Sequence, residues 1–430
     1  MLRVADPDEA IPELEPLAFP PEVEEGVRDI CRRVREEGDA ALVELTRRFD
    51  GADVSGRLRV TDQEIARAER DLDPELREAL ARLAGRLRDL HGRQLPTSWS
   101  AEAGGVRFAE SVRPIPAAGA YAPGGRASYP STVLMTTIPA RVAGVERVIL
   151  CTPPSPNGSV AAPILAAARL AGVDAVYRVG GAQAVAAMAY GTESIGRVDK
   201  IVGPGNLWVT AAKREVAGTV GIDGLAGPTE LVIVADGTAD PGVLAVDLVA
   251  QAEHDPLARV TLVCLDGALP PAVGDALERE VASSPRREIV EASLHHAVAV
   301  VVGSPEEAGA IVDRVAPEHL QVVTRDPRRV LDAARSYGAA FLGPLTPVAF
   351  GDYGVGSNHV LPTMRTARFS SGLRASDFVT VSSVVEASAE GLESFGPEVE
   401  AVARAEGLPG HARAVEVRRP GEAPPDPSTS

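Results

Sequence analysis

Ala175-Val-Tyr-Arg-Val-Gly-Gly-Ala-Gln183 is an apolar run of strand length that ends in two glycines and leads into a helical pattern. Similar runs begin at Arg147 and at Lys200, and a helical pattern follows each of them. Strands that alternate with helices at this spacing predict right-handed crossovers and a parallel, doubly wound sheet. This stretch therefore assigns the chain to the α/β class.

A second series of apolar runs follows, with helical patterns between them, and its runs begin at Leu231, Val260, Ala297, Leu320 and Ala339. Two consecutive series predict two Rossmann-like, doubly wound parallel-sheet domains facing a cleft, with small helical segments at both ends of the chain. The expected boundaries are 1–15 for an N-terminal segment, 16–120 with 226–370 for the first α/β domain and its helical N-terminal part, 121–225 for the second Rossmann-like domain, 371–418 for a C-terminal helical segment, and 419–430 for a disordered tail.

The composition limits the classes of partner. The formal net charge of −17 argues against a nucleic-acid or anionic-membrane partner, because both require a basic surface. The chain has no apolar stretch long enough to span a bilayer, and its acidic beginning lacks the apolar core of a signal peptide. Its three cysteines are widely spaced and odd in number, which is typical of buried, reduced thiols. We expect a cytoplasmic protein.

Four of the seven histidines lie in short motifs with carboxylates or an amide: Gln251-Ala-Glu-His254, Pro317-Glu-His319, Asp352 through Asn358-His359, and Glu406 through His411. Imidazole nitrogens and side-chain oxygens are the ligands of a divalent metal ion. A Glu-His pair can perform general acid/base chemistry near neutral pH. Together the motifs predict a metalloenzyme.

Each motif also has a plain structural interpretation. Gln251 and His254 share a face at a helix end, which suits a metal ion but equally suits a histidine that interacts with the helix dipole. Glu318 and His319 lie at the mouth of a strand, where α/β sites form, but could belong to a surface loop. His91, at the end of an N-terminal helix, is expected only to interact favourably with the helix dipole.

Three glycine-containing motifs are candidates for a nucleotide site: Tyr121-Ala-Pro-Gly-Gly, Gly180-Gly-Ala-Gln183 and Gly203-Pro-Gly-Asn206. The last two follow strands and precede helices, where backbone N–H groups can hold phosphates. Neither has the spacing G-x-G-x-x-G, and tight turns between strand and helix need glycine in any case. On spacing alone, nucleotide binding stays open.

The motifs taken in order are far more specific than any one of them. In addition to those above, the chain contains Pro130-Ser-Thr-Val-Leu-Met, Gly191-Thr-Glu-Ser, Asp199-Lys-Ile-Val-Gly-Pro-Gly-Asn, Ala226-Gly-Pro-Thr-Glu and Ala367-Arg-Phe-Ser-Ser-Gly-Leu. This series resembles the histidinol dehydrogenase family, and the likeness runs from about residue 15 to 418. The resemblance implies oxidation of L-histidinol to L-histidine through an aldehyde, with two NAD⁺ and one zinc ion per subunit.

The resemblance also implies roles for particular residues. The zinc ligands would be Gln251, His254, Asp352 and His411. His319 would be the acid/base and Glu318 would activate water, while further contacts to histidinol would come from Thr229, His359 and Glu406. NAD⁺ would contact Tyr121, Gln183 and Asn206 in the second Rossmann-like domain. The C-terminal segment would mediate a homodimer in which Glu406 and His411 are donated across the interface.

Two departures from the family pattern bear on these roles. Position 229 is Thr where many members have Ser, which keeps the hydroxyl, and Pro409 could shift the backbone before His411. Rival interpretations are an aldehyde-dehydrogenase-like enzyme with Cys151 as nucleophile, a non-catalytic nucleotide sensor, and a zinc hydrolase. A related zinc dehydrogenase for another amino alcohol is the alternative within the same chemistry.

Overall fold

The computed structural model describes residues 2–11, 18–124 and 128–419. It divides into two compact units, the first formed by 1–94 and 115–378 and the second by 95–114 and 379–430. The first unit begins with strand β1 (Arg3–Val4) and the helices α1 (Pro7–Ala10), α2 (Pro21–Glu37), α3 (Asp39–Asp50), α4 (Asp62–Asp71) and α5 (Pro74–Gly92). The next strands, β2 (Trp99–Ala103) and β3 (Val106–Pro114), belong to the second unit.

A five-stranded parallel sheet follows in the first unit. Its strands are β4 (Ala117–Tyr121), β5 (Arg147–Thr152), β6 (Ala175–Arg178), β7 (Lys200–Val202) and β8 (Gly221–Ile222), in the order β6-β5-β4-β7-β8. The connecting helices are α6 (Pro130–Ala143), α7 (Ala162–Ala171), α8 (Gly181–Tyr190) and α9 (Leu207–Val216). This order is that of a Rossmann half, in which the first strand lies at the centre. The carboxyl end of β4 is therefore the point where the strand order reverses.

The second sheet of the first unit has six parallel strands. They are β9 (Glu230–Ala235), β10 (Arg259–Cys264), β11 (Val298–Val301), β12 (His319–Val323) and β13 (Ala339–Leu342), with β1 added at one edge, in the order β1-β11-β10-β9-β12-β13. The helices of this part are α10 (Pro241–Ala252), α11 (Leu269–Ser283), α12 (Arg287–Leu294), α13 (Pro305–Val315), α14 (Pro327–Ala333) and α15 (Ala349–Asp352). Two doubly wound sheets are thus present, and the predicted fold class is confirmed.

The N-terminal helices do not pack where the sequence analysis placed them. Residues 16–120 were expected to belong with 226–370, but the apolar face of α2 and α3 is buried in one core with the five-stranded sheet. That core includes Val34, Leu42, Ile149, Tyr177 and Val185. The helical spacing of the apolar residues predicts the buried face of each helix but not which of two similar sheets covers it.

The second unit joins two distant parts of the chain. Strand β14 (Val379–Ala387) pairs antiparallel with β3, which pairs with β2, and two helices follow, α16 (Ala389–Ala405) and α17 (Pro409–Glu416). The expected boundaries at 120 and 371 therefore have to be corrected, because β2 and β3 complete a sheet with the C-terminal segment. Pro409 occupies the first position of α17, where its missing N–H costs nothing.

The tail predicted from 419 lies outside the described residues except for Arg419, whose guanidinium donates to the carboxylate of Glu400 on α16 (3.2 Å). Of the N-terminal segment 1–15, residues 2–11 are described. Across the described part of the chain, no helix combines the length and the apolar character needed to cross a membrane.

Arg178 generates a prediction about stability. Its side chain is 2% exposed, and it donates to the carbonyl oxygens of Arg57 (2.7 Å) and Arg59 (2.8 Å) and pairs with Glu64 on α4. Arg178→Met leaves these acceptors unsatisfied, so we expect the free energy of unfolding to fall by roughly 2–4 kcal/mol. The measurement is urea denaturation followed by circular dichroism.

Arg169→Met is the matched control, because Arg169 also pairs with a glutamate of α4, Glu69 at 2.8 Å, but is 56% exposed. Its effect should stay below about 1 kcal/mol. Equal destabilisation by the two substitutions would contradict the structural role assigned to Arg178.

Candidate active site

The predicted motifs in the first unit meet at the edge of the six-stranded sheet where its strands begin. Thr229 immediately precedes β9, and His319 is the first residue of β12. Helix α10 follows β9 and runs back along the sheet, so its last turn carries Gln251 to the same edge. The Glu318–His319 motif was expected at a strand mouth, between a helix that ends at Ala316 and a strand that begins at Leu320, and the structure confirms this position. The cluster therefore lies at the amino ends of β9 and β12, whereas ligands of open α/β sheets usually bind beyond the carboxyl ends.

Local sequence explains how Glu318 and His319 enter the sheet. Pro317 disfavours helical backbone at the residue before it, and Ala316 accordingly ends α13 with a φ of 45°. The chain then turns directly into β12, where His319 pairs with Leu231 of β9 and Ala339 of β13. The adjacent acid and base are therefore held at a strand start between two neighbouring strands, rather than in a mobile surface loop.

A chain of hydrogen bonds connects Gln251, Thr229 and Glu318. The Gln251 amide Nε2 donates to the Thr229 hydroxyl at 2.5 Å, and that hydroxyl donates to Oε2 of Glu318. The backbone N–H of Glu230 donates to the same Glu318 oxygen at 3.2 Å. The Gln251 nitrogen thus donates to Thr229, which leaves the amide oxygen of Gln251 as the atom that could bind a metal ion.

Glu318 is a buried carboxyl with an altered pKa. Burial raises its pKa to about 7, although the hydrogen bonds from Thr229 and Glu230 favour the charged form and oppose the shift. A carboxyl with this pKa is divided between its acid and its base at neutral pH. Such a group can accept a proton from a weakly acidic donor.

Glu230 is a candidate that the sequence analysis missed as a separate residue, although it stood within the motif Ala226-Gly-Pro-Thr-Glu230. Its side chain is buried, and burial together with the charge of Glu318 raises its pKa. Oε1 accepts the backbone N–H of Met364 at 3.2 Å, which ties the 363–366 segment to the start of β9. A glutamate directly before the apolar run Leu231-Val-Ile-Val-Ala was the available signal.

His319 is 3% exposed, and within the described residues neither of its ring nitrogens has a hydrogen-bond partner. Nδ1 lies 3.5 Å from Oε2 of Glu318, and Nε2 lies 3.7 Å from Oδ1 of Asp352, both beyond hydrogen-bond distance. Burial lowers the pKa of His319 to about 4, so the ring is neutral near pH 7. Unsatisfied buried nitrogens are rare in folded proteins and indicate a group prepared for a ligand or a proton.

The two other histidines of this cluster are held in defined tautomers. His359 faces the carbonyl oxygen of Asp352 through Nδ1 (3.0 Å) and the hydroxyl of Thr132 through Nε2 (3.1 Å). Because a carbonyl only accepts, Nδ1 of His359 carries the proton, and burial lowers the pKa of this ring to about 4. His254 faces the carbonyl of Gln251 through Nδ1 (3.2 Å), which leaves Nε2 with a free lone pair.

The donor chemistry of these residues fits a divalent metal ion. His254 offers Nε2 and has its other nitrogen oriented by a carbonyl, as metal-ligating histidines usually do. Gln251 offers its amide oxygen, and Asp352, which ends α15, offers a largely buried carboxylate. In the described ranges no three His, Cys, Asp or Glu side chains are close enough to hold a metal on their own. Gln251, His254 and Asp352 could therefore hold a metal ion only together with a further ligand.

Glu406 and His411 lie in the second unit. Glu406 caps the end of α16, and His411 is in the first turn of α17, where its N–H donates to the carbonyl of Leu408 (3.0 Å). Both residues are exposed. The two residues are separated by the end of α16 and the beginning of α17, and Gly407 between these helices has a left-handed conformation (φ 73°).

His91 lies in the last turn of α5, as predicted. Its ring is fully buried, however, and burial lowers its pKa, so the histidine does more than interact with the helix dipole. Nδ1 faces Oε1 of Gln94 at 2.7 Å, and Nε2 faces the amide nitrogen of Asn358 at 3.3 Å. His91 is therefore a neutral residue that supports Asn358, next to His359, because the chain beyond β13 packs over the end of α5.

The expected nucleotide contacts lie at the carboxyl edge of the five-stranded sheet. Tyr121 ends β4, and its hydroxyl accepts the N–H of Gly181 at the start of α8 (3.2 Å). Gln183 is buried in the first turn of the same helix. Asn206 is exposed and caps α9 by accepting the N–H groups of Trp208 (3.1 Å) and Val209 (3.2 Å). The turns before α8 and α9 thus have the helix-start geometry that suits a phosphate.

A cavity of about 820 Å³ connects the two edges. Gly203 and Pro204 line it on the side of the five-stranded sheet, and Thr229, Glu318 and His359 line it on the other side. A ligand in this cavity could contact both the glycine turn after β7 and the Glu318 carboxyl. This is the cleft between two sheets that the sequence predicted.

The alternative with Cys151 as a nucleophile does not fit. Cys151 lies inside β5 and is fully buried, and burial raises the pKa of its thiol to about 12. A nucleophilic cysteine needs an accessible, stabilised thiolate. Cys151 is therefore not in a position to act as a nucleophile.

Comparison with known proteins now identifies the family. The histidinol dehydrogenase family model matches residues 17–419. The chain belongs to the histidinol dehydrogenase family. It is 48% identical over 394 residues to a histidinol dehydrogenase of Geobacillus kaustophilus, with 91% of this chain and 93% of that protein covered. The histidinol dehydrogenase of Natronomonas pharaonis is 49% identical over 396 residues.

The fold agrees with that assignment. The crystal structure of histidinol dehydrogenase from Elizabethkingia anophelis superposes with a TM-score of 0.91 at 36% identity, and the match covers 94% of both chains. Membership of the histidinol dehydrogenase family makes this protein an oxidoreductase.

Burial of the thiols gives a direct test of the site's chemistry. Cys31, Cys151 and Cys264 are all buried, and burial raises the pKa of each to about 12. We expect the native protein to be unreactive toward a thiol reagent such as DTNB at pH 8, and all three thiols to react after unfolding in guanidinium. The measurement is absorbance of the released thiolate. Rapid modification of Cys151 in the native protein would restore the nucleophile hypothesis.

Proposed function

We propose that this protein oxidises L-histidinol to L-histidine through L-histidinaldehyde, with two NAD⁺ as hydride acceptors and with bound zinc, in the last steps of histidine biosynthesis. Family membership supports the reaction class. The observation that carries the proposal is the Glu318–His319 pair. It combines a buried histidine with two unpartnered nitrogens and a buried carboxyl whose hydrogen bonds hold it in place.

In the first oxidation, His319 would accept the hydroxyl proton of histidinol. An alcohol carbon releases hydride only as its O–H proton leaves, so a base is needed at that oxygen. His319 is suited to this role because it is neutral at pH 7 and neither ring nitrogen has a hydrogen-bond partner among the described residues, so the unprotonated nitrogen can accept a proton. A base in this position is typically worth roughly 10²–10⁴ in rate. NAD⁺, held at Tyr121, Gln183 and Asn206, would take the hydride.

The second oxidation needs water to add to the aldehyde. Glu318 would remove a proton from that water, and its raised pKa makes it a better base than an ordinary exposed carboxylate. The Thr229 hydroxyl would keep the carboxylate oriented throughout. His319, protonated in the first oxidation, would return that proton to the aldehyde oxygen as water adds, and the neutral ring would then accept a hydroxyl proton of the hydrated aldehyde as the second hydride departs. The aldehyde would remain in the buried cluster between the two steps.

Gln251, His254, Asp352 and His411 would hold the zinc ion. When bound, zinc would act as a template that orients the amine and imidazole nitrogens of the substrate. His254 and Gln251 are already arranged for this, since each has its other polar atom bonded elsewhere. The same ligands, with Thr229, His319, His359 and Glu406, would surround histidinol.

We also propose a homodimer in which Glu406 and His411 of one subunit complete the site of its partner. Within the described residues, the first unit offers fewer His and carboxylate ligands than a zinc site needs, and His411 lies in the other unit. The second unit also exposes apolar side chains on one strand and one helix, namely Val381, Val384, Val385, Val399 and Val402. Exposed apolar surface of this kind is typical of a protein interface.

The primary experiment measures NADH formation by the full-length protein with L-histidinol and NAD⁺. We expect two NADH per histidinol, because both oxidations occur at one site. Prolonged chelation should abolish turnover, and added zinc should restore it. His254→Ala serves as the metal-site variant, and elemental analysis should find much less zinc bound to it.

The outcomes separate the alternatives. Formation of only one NADH per histidinol would show that the aldehyde is not oxidised, which would contradict the role proposed for Glu318. No NADH from folded, zinc-loaded protein would contradict the choice of histidinol and favour another amino alcohol, which the same assay can test. Turnover that survives complete zinc removal would contradict the metal site.

Hybrid dimers test whether the site is shared. His319→Asn and His411→Ala should each lose orders of magnitude in turnover on their own. In a shared site, a dimer with one subunit of each variant has one intact site, so doubly tagged hybrids should regain about half of the wild-type activity. The measurement is turnover of hybrids isolated through two different affinity tags.

The control hybrid combines His319→Asn with Glu318→Gln. Both substitutions lie in the first unit, so no arrangement of subunits produces an intact site, and this hybrid should stay inactive. An inactive His319→Asn/His411→Ala hybrid would show that each site is built from a single chain. Failure to isolate any doubly tagged species would contradict the dimer.

A further inference from the structure

Lys213 and Asp223 form a buried ion pair for which the reaction described above has no role. The side chain of Lys213, on α9, is 3% exposed, and that of Asp223, just after β8, is 7% exposed. Both residues line the cavity between the sheets. Burying a lysine and an aspartate removes both from water at a cost that their mutual attraction only partly offsets, so such a pair is weak as a stabilising device. Its contacts suggest a different purpose.

Both members of the pair bind the same glycine. The Lys213 ammonium donates to the carbonyl oxygen of Gly203 at 3.0 Å, and the N–H of Gly203 donates to Oδ2 of Asp223 at 2.7 Å. One ion pair thus fixes both backbone polar groups of the first residue in the turn Gly203-Pro204-Gly205-Asn206. Hydrogen bonds to charged groups are the stronger ones, so this is a firm attachment.

The Gly203–Asn206 turn also lies in close contact with β4, the central strand of the five-stranded sheet. Gly203 has a φ of 117°, and a Cβ at this position would lie 2.1 Å from the carbonyl oxygen of Tyr121. No other residue type fits without displacing the end of β4. The orientation of the turn consequently depends on the Lys213–Asp223 pair on one side and on Tyr121 on the other.

We propose that the Lys213–Asp223 pair is a positioning element for NAD⁺, and that it holds the Gly203–Asn206 turn in the orientation that binds the dinucleotide. This inference rests on the proposed function, because it assumes that the turn contacts NAD⁺. The pair acts through Gly203 and does not itself take part in the chemistry.

The experiment compares NADH binding by four zinc-loaded, full-length variants: Lys213→Met, Asp223→Asn, the double variant, and Lys200→Met as the control. Lys200 is a lysine on β7 at the opposite end from Gly203, and its ammonium donates to the carbonyl of Asp377 (2.7 Å). The readouts are the Kd for NADH from its fluorescence, the KM for histidinol, and the midpoint of thermal unfolding.

Lys213→Met should raise the Kd for NADH by about tenfold or more, because the Gly203 carbonyl loses a charged donor. The double variant removes both charges, so its thermal midpoint should recover toward that of the wild type while its Kd stays raised. The KM for histidinol should change by less than about twofold in each folded variant, and Lys200→Met should leave the Kd for NADH within about twofold.

Recovery of both the thermal midpoint and the Kd in the double variant would overturn the proposal, since the pair would then have only a structural role. A Kd for NADH equal to that of the wild type in folded Lys213→Met would also overturn it, without affecting the proposed function. Absence of NADH binding by the wild-type protein would overturn the proposed function itself, and this inference with it.

Discussion

The Thr229 hydroxyl is the constraint on which the candidate site depends. A hydroxyl has one proton, and here it is donated to Glu318, while the Gln251 amide donates to the hydroxyl oxygen. The direction of these two hydrogen bonds fixes the orientation of both the Glu318 and the Gln251 side chains. Glu318 accepts the Thr229 proton, and the Gln251 oxygen does not take part in this series of hydrogen bonds, so it is available to a ligand. A serine at position 229 could make the same two hydrogen bonds, because both residues provide one hydroxyl.

Burial gives the cluster its chemistry and makes it costly to the fold. Glu230 and Glu318 are two buried carboxyls, and burial raises the pKa of both, to which the charge of Glu318 adds for Glu230 and the charge of Asp352 adds for Glu318. His319 nearby is kept neutral by burial as well. A core without function would contain apolar residues at these positions. The surrounding strands β9 and β12, which are buried throughout, supply the packing that keeps such groups in place.

Much of the fold could be predicted from the sequence, because alternating apolar runs and helical patterns depend on local periodicity. The capping box at Thr61–Glu64 and the proline that begins α17 are local features of the same kind. The packing of α2 and α3 on the five-stranded sheet was not predictable in this way. Their apolar faces fit either sheet, and the choice is made by contacts between residues far apart in the chain.

In the candidate site, too, local features could be predicted from the sequence and contacts between distant residues could not. The Gln251 and His254 motif was recognisable because a helix fixes the spacing of its side chains. The position of this motif next to Thr229 could not be recognised from the sequence, because it depends on α10 returning along the sheet to the beginning of β9. The burial of His91 could not be predicted for a similar reason. Its partner Asn358 is 267 residues away, and no local pattern connects the two.

The two sheets contribute opposite edges to one cavity, and this arrangement explains why the segment from Asp223 to Glu230 is important. The five-stranded sheet presents the carboxyl ends of its strands, where the Gly203 turn lies, while the six-stranded sheet presents the amino ends of β9 and β12. The segment leaves the first sheet at Asp223, which binds Gly203, and enters the second at Glu230, whose N–H binds Glu318. Midway, the carbonyl of Ala226 accepts the hydroxyl of Thr210 on α9 at 2.9 Å. Eight residues attached at both ends and at the middle connect the glycine turn with the Glu318–His319 pair. A hydride can pass only between carbons in contact, so the proposed binding of NAD⁺ at one sheet and of histidinol at the other would require a fixed distance between the two edges, and the hydrogen bonds of this segment would help to set that distance.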